Sequence, residues 1–373
     1  MKKYRRSAIV AGGIILCAGL FACNKNDSAG EATTQEVTSK EDASQTQKET
    51  EKQTEKESDA SLSSDNVLGA NDPNKVDIID IESNIRPIVI SVNNIDVAQI
   101  VQRGLNDAYM VYELPVEGGI TRCLAFYKDP TIDVQVGSVR SARHNMFDIA
   151  MESDAIICHY GGSTIATSQE ADGVIDYISG MEGGPFWREN PENIASEHTV
   201  NTSTAQLFTY AAQKGYVTSA ETAEQTILLN YDNGDVDLSG MASAIKADTV
   251  TATFSSVQNS VFKYDEDDSC YYRWNGSRET IDYGTKEQVN CENIIIQYFT
   301  YTLINDKLLD FNNIGTGTGF YITNGYAVPI NWSKESRSAK TVYTYADTGE
   351  EITVSDGRTF IELFPAQAAL GIE

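Results

Sequence analysis

The feature that most constrains this chain is a break in composition. Residues 31–65, EATTQEVTSKEDASQTQKETEKQTEKESDASLSSD, contain no aromatic residue, and Val37 and Leu62 are their only large aliphatics. Such a stretch cannot bury enough apolar surface to offset the entropy lost on ordering, so disorder is expected from Asn24 to about Ala70. Any packed core must therefore be built from the roughly 300 residues that follow, enough for two domains of ordinary size.

What precedes the break explains it. Lys2, Lys3, Arg5 and Arg6 stand ahead of an apolar run from Ala8 to Ala22. That run is shorter than the roughly 20 residues a spanning helix needs, and a basic start before a short apolar run reads as a signal peptide. It ends in Leu20-Phe21-Ala22-Cys23, the pattern of a lipobox, in which cleavage leaves the acylated cysteine first. Cys17 fits worse, because Leu16 is too large for the cleavage pocket. The competing reading is an ordinary secretory signal with a chance cysteine. The expected order is signal peptide (1–22), lipidated Cys23 with an acidic tether (23–78), an N-terminal α/β domain (79–222) and a mostly β domain (223–373). The class is thus α+β, anchored through its lipid to the extracytoplasmic face of the cell membrane.

The formal net charge of −26 repels nucleic acid and anionic surfaces at long range, so no nucleic-acid partner is expected. Beyond Cys17 and Cys23, four cysteines remain: Cys123, Cys158, Cys270 and Cys291. No CxxC spacing occurs among them, which removes the common zinc and redox motifs. No metal and no cofactor are expected. Cys123 and Cys158 lie in apolar runs that suit buried thiols. Cys270 and Cys291 lie in neighbouring β segments, and spacing alone leaves a disulfide between them open.

In the first domain, Arg86–Val92, Ala108–Leu114 and Ile120–Tyr127 have the composition of strands, and Ala155–Tyr160 that of a short buried strand. Val139–Met151 has helical spacing with Ser138 available as N-cap, Gly161-Gly162-Ser163 opens another helix, and Thr202–Gln213 is a third, stopped by Gly215. From about Gln225 helical periodicity vanishes. Phe320–Val328 carries Asn324-Gly325 at its centre, a strong hairpin signal, and a second hairpin is expected to turn at Asp347-Thr348-Gly349. Gly315-Thr-Gly-Thr-Gly319 resembles a phosphate loop, but no helix follows it, so a strand is the better reading. Trp274 and Trp332 suit aromatic packing better than a sugar platform.

The chain's three histidines, His144, His159 and His198, all fall in the first domain. With Arg140 in the first turn of its expected helix and Ser163 capping the next, both helix starts would favour anions. Two guanidinium groups add forked reach for carboxylate or phosphate. The sharp expectation is an anion pocket of Arg140, Arg143, His159 and Ser163, with Glu117, Arg122 and His198 as further ligand-binding candidates. The bland one pairs the arginines with Glu113, Glu117 or Asp148 and leaves the histidines as loop caps.

Several segments resemble the YerB-like family of bacterial lipoproteins. They are Arg86-Pro-Ile with Asn93-Asn94, Val111–Arg122 (VYELPVEGGITR), Val136–Arg143 (VGSVRSAR), His159–Ser163 (HYGGS) and Phe186-Trp-Arg188. In the second half Tyr272-Arg273, Asn293–Gln297, Trp332 and Asp356–Glu362 are similar too. The resemblance spans nearly all of 85–365 and implies two modules, both of unknown function, with no catalytic residue to carry over. Two departures stand out: Ser138 where the family has Pro, and Glu197-His198-Thr199 where it reads Pro-His-Asn. The second weakens any role of His198 that needs the neighbouring amide.

Three function classes remain. The first is a binding protein for an anionic or cell-wall ligand. The second is a scaffold whose β domain docks an envelope protein. The third, a cell-envelope hydrolase with His159 or His198 as base and Ser163 or Glu117 as partner, is the runner-up. No GxSxG elbow, HExxH or paired-acid signature supports catalysis, so binding or scaffolding is preferred.

Overall fold

The computed structural model describes residues 76–305 and 307–373. The signal peptide, Cys23 and nearly all of the tether expected from sequence lie outside these residues.

Short apolar strands dominate. The strand Ile88–Asn93 pairs antiparallel with Thr121–Tyr127 and parallel with Ile156–His159, which in turn pairs parallel with Tyr177–Ser179. Met110–Pro115 lies on the other side of Thr121–Tyr127. In the second half, Asn293–Ile304 pairs antiparallel with Gly315–Thr323 and parallel with Thr359–Pro365. The two sets then join. Met110–Pro115 runs parallel to Thr359–Pro365, with Val111 opposite Phe360 and Glu113 opposite Glu362. Strands from both sides of residue 222 thus form one 12-stranded sheet.

Both faces of this sheet are covered, which is why its central strands are apolar on both sides rather than alternating. Along Ile88–Asn93, Val89 enters one core with Leu124, Phe126, Ile295 and the helical residues Met146, Phe147 and Ile149. Its neighbours Ile88, Ile90 and Val92 enter the other, with Leu207 and Phe208 of the helix Thr204–Gln213. Val250, Phe262 and Tyr271 join that second core. They come from a six-stranded antiparallel sheet that includes Thr249–Thr253, Asn259–Asp265 and Cys270–Asn275. All the α-helices among the described residues end by Gln213, and strands dominate the rest. The class is α+β, with a mixed first module and a mostly β second one.

The local turn signals hold. Gly315–Thr323 and Tyr326–Lys334 form a hairpin in which Thr323 faces Tyr326. At its tip Asn324 and Gly325 take φ of 49° and 73°, the left-handed pair that a two-residue turn requires. The Gly315–Gly319 repeat lies within this strand. Trp332 is buried and donates Nε1–H to the Tyr298 carbonyl at 2.9 Å. Cys123, Cys158, Cys270 and Cys291 are free, buried thiols.

One expected element is corrected. The helix predicted over Val139–Met151 spans only His144–Ala150, with Arg143 at its N-cap position, so Ser138 caps nothing and Arg140 is not in its first turn. The backbone before it is committed elsewhere. Asn93 N–H donates to Ser138 O at 2.8 Å, Val139 N–H to Val200 O at 2.7 Å and Arg140 N–H to Ser91 O at 2.8 Å. Tyr160 and Ala142 extend this stitching, through Tyr160 N–H to Arg140 O at 3.0 Å and Ala142 N–H to Gly161 O at 2.9 Å. Residues 138–142 therefore run extended past the ends of Ile88–Asn93 and Ile156–His159. Periodicity is overridden by long-range hydrogen bonds.

Candidate functional site

The crevice beyond the carboxyl ends of parallel strands is where ligands bind open α/β sheets. Here that position is occupied by the extended segment 138–143, the turn Glu117–Gly119 and the loop that carries Glu197 and His198. The turn Glu117–Gly119 links Met110–Pro115 to Thr121–Tyr127, which places Glu117 and Arg122 on the same hairpin.

Three guanidinium groups converge. Arg143 holds Glu117 in a fork, with Nε 2.9 and 2.8 Å from the two carboxylate oxygens and Nη2 2.7 Å from one of them. Arg140 donates through Nη1 to the Glu197 carbonyl at 3.2 Å, and its Nη2 lies 3.5 Å from that residue's carboxylate. Among the described residues Arg122 forms no ion pair of its own, and Glu117 acts on it only through its charge. Arg122 is 4% exposed, donates through Nη1 to Ser141 O at 2.9 Å, and its buried Nε meets no acceptor. Burial, then the charges of Arg143 and Arg140, pull its pKa down to about 9, against a smaller opposing pull from Glu117. Burial would push the Glu117 carboxyl up. The hydrogen bonds and charge of Arg143, with help from its own backbone and Arg122, outweigh that and hold it below the ordinary value.

His198 borders the group. Its Nδ1 accepts from Asn93 Nδ2 at 2.9 Å, which puts the ring proton on Nε2, 3.5 Å from the Glu197 carboxylate. Burial and the Arg140 charge lower its pKa, and Glu197 opposes them.

Of the residues singled out from sequence, Glu117, Arg122, Arg140, Arg143 and His198 come together. His159 and Ser163 do not join them. The His159 ring is fully buried, with Nδ1 2.7 Å from Gly161 O; its Nε2 lies 3.1 Å from Glu170 Oε1, off the line a hydrogen bond requires. Ser163 Oγ is spent accepting from Ala166 N–H at 3.2 Å as the cap of Thr164–Ala171. A Ser163–His159 nucleophile and base is therefore not assembled. Sequence reasoning did not assign Glu197, Asn93 or the Ser141 carbonyl to the site, although each lies in a segment of family resemblance or beside a departure from it, because a motif does not say which of its groups faces the arginines. Its bland pairing holds for Arg143 with Glu117, whereas Asp148 takes Arg337 and Glu113 takes Arg273.

Among the described residues, no group of three or more His, Cys, Asp or Glu could hold a metal ion, and no helix is long and apolar enough to cross a membrane.

Fold and site together define a two-module protein with a shared mixed sheet and a cluster of three arginines at the carboxyl ends of the first module's strands. The N-terminal domain of the DUF3048 family of proteins of unknown function matches residues 77–217, and the C-terminal domain of the same family matches residues 250–361. The chain belongs to this family. It is 29% identical over 291 residues to a protein of Bacillus subtilis (strain 168) named "Putative lipoprotein YerB", covering 77% of this chain and 83% of that one. The crystal structure of the YerB protein from Bacillus subtilis superimposes with a TM-score of 0.66 at 26% identity. That match covers 78% of this chain and 95% of the other.

Proposed function

We propose that the chain is a lipoprotein anchored through Cys23 to the extracytoplasmic face of the membrane, and that its first module binds an oxyanion of the cell envelope. The name of its B. subtilis relative and the Leu20–Cys23 signature support the anchor. The binding reading rests on one observation: Arg122, buried to 4% exposure, faces two other guanidinium groups with its Nε unpartnered. A buried cation beside two like charges, with the nearby Glu117 already held by Arg143, is expensive, and a bound anion would relieve that cost.

The test is a titration of the purified full chain with pyrophosphate and with citrate, followed by melting temperature and calorimetry. Ligand that binds the native state raises the melting temperature. A hydrogen bond to a charged group contributes roughly 1.5–3 kcal/mol, so Arg122→Ala should weaken binding on the order of 10- to 100-fold. Arg140→Ala, at a more exposed position, should also weaken it without endangering the fold. Full retention of affinity in both variants refutes the assignment.

A further inference from the structure

Glu117 already occupies the guanidinium that an incoming anion would need. Its two oxygens meet Nε and Nη2 of Arg143 at 2.7–2.9 Å, the two-pronged contact by which arginine grips a carboxylate or a phosphate. Glu117 is carried on a turn, where departure does not break the sheet. Gly118 and Gly119 follow it with φ of 80° and 74°, a region that only glycine enters freely. A Cβ placed on Gly118 would meet nothing within 4 Å, so the turn has space on its outer side. Beneath it Val116 N–H donates to Ile120 O at 2.9 Å, which keeps the hairpin closed whatever the Glu117 side chain does. Exposure points the same way, since the Glu117 side chain is 27% exposed against 17% for Arg143. The acid is the partner that can leave.

We propose that Glu117 is an internal stand-in for the ligand. The ligand class follows from what it displaces: a group with two oxygens on one atom, as in a carboxylate or a phosphate, that takes over the Arg143 fork and gains Arg122 as its second partner. This rests on the reading of the arginines as an anion site. A halide offers a single point of contact and cannot fill the fork. Ser255 of the second module donates its hydroxyl to the Gly119 carbonyl, so the resting position of the stand-in is held partly from the other module.

The experiment titrates acetate, inorganic phosphate and chloride, at constant ionic strength, into the purified full chain and its Glu117→Ala and Glu117→Gln variants. Apparent affinity falls by the fraction of time the site is free. A stand-in seated nine-tenths of the time therefore masks about tenfold. Glu117→Ala should bind acetate and phosphate about tenfold tighter than the parent, chloride should gain nothing, and acetate should restore the melting temperature lost with the carboxylate. Glu117→Gln keeps the side-chain volume and should show the same gain if Glu117→Ala folds poorly. The stand-in role fails if neither variant gains affinity while the parent binds and Arg122→Ala abolishes that binding, or if chloride matches acetate. If parent and variants alike ignore acetate and phosphate, the anion site falls as well.

Discussion

Glu362→Gln should stabilise this protein at neutral pH, and increasingly so as pH rises. Glu362 and Glu113 stand opposite each other on neighbouring parallel strands, about 4.8 Å apart, at the seam between the two modules. Both are fully buried, as is Arg273. Glu113 takes the available donors. One of its oxygens accepts from Asn94 at 2.9 Å, Thr121 at 2.6 Å and Gln258 at 3.1 Å, the other from Ser260 and Arg273 at 2.8 Å each. Both oxygens of Glu362 are left without a partner. Burial, then the Glu113 charge, raises the Glu362 carboxyl well above its ordinary value of 4.5, with Arg273 pulling the other way. A raised folded pKa contributes stability that is complete below the unfolded pKa and is lost as pH rises towards the folded one. Each pH unit above 4.5 through which the folded carboxyl keeps its proton costs on the order of 1 kcal/mol, a few kcal/mol by pH 7. Glutamine carries no such cost. With an unfolding entropy of about 2.1 cal/mol/K per residue over roughly 300 residues, the advantage of the variant should grow by about 4 °C between pH 5 and pH 7. Paired thermal melts across that range give the answer. A difference between parent and variant that does not change with pH means that Glu362 ionises in the fold as it does in the unfolded chain, and the reasoning is wrong.

Two further outcomes follow from the same accounting of buried groups. Lys334 and Glu152 form a buried ion pair across the modules, supported by Thr341 N–H at 2.8 Å from the carboxylate and by the Asp148 carbonyl at 3.0 Å from Nζ. Lys334→Ala leaves Glu152 uncompensated and should cost roughly 3–5 kcal/mol in urea denaturation; a loss under about 1 kcal/mol would contradict the burial. Cys123, Cys158, Cys270 and Cys291 should resist thiol reagents until the protein is unfolded. A melting temperature that drops on adding reductant would point to a disulfide instead.

Much of the architecture is legible from residues that act on their immediate neighbours. Asn324-Gly325 specifies its hairpin because both residues tolerate positive φ. Ser163 specifies a helix start because its hydroxyl reaches an amide three residues on. Runs such as Ile88–Val92 and Asn293–Ile296 are strands buried on both faces because every position is apolar or small enough to pack. These are short-range properties, and they survive wherever the segment is placed. The beginning of the helix at His144 is different: periodicity extends back to Val139, but the backbone of 138–142 finds better partners in Ser91, Asn93, Gly161 and Val200. Partner choice among charges is different too. Arg143 takes Glu117 from 26 residues away, Glu113 takes Arg273 from 160, and Arg122 donates to a carbonyl, Ser141 O, 19 residues on. A carboxylate several residues from an arginine in sequence carries no record of which guanidinium it will meet. That depends on strand register, on the joining of two modules along Met110–Pro115 and Thr359–Pro365, and on which groups are left dry when the sheet closes. Local sequence determined the elements, whereas only the tertiary structure could choose the pairings, because burial sets their energy and burial is a property of the whole fold.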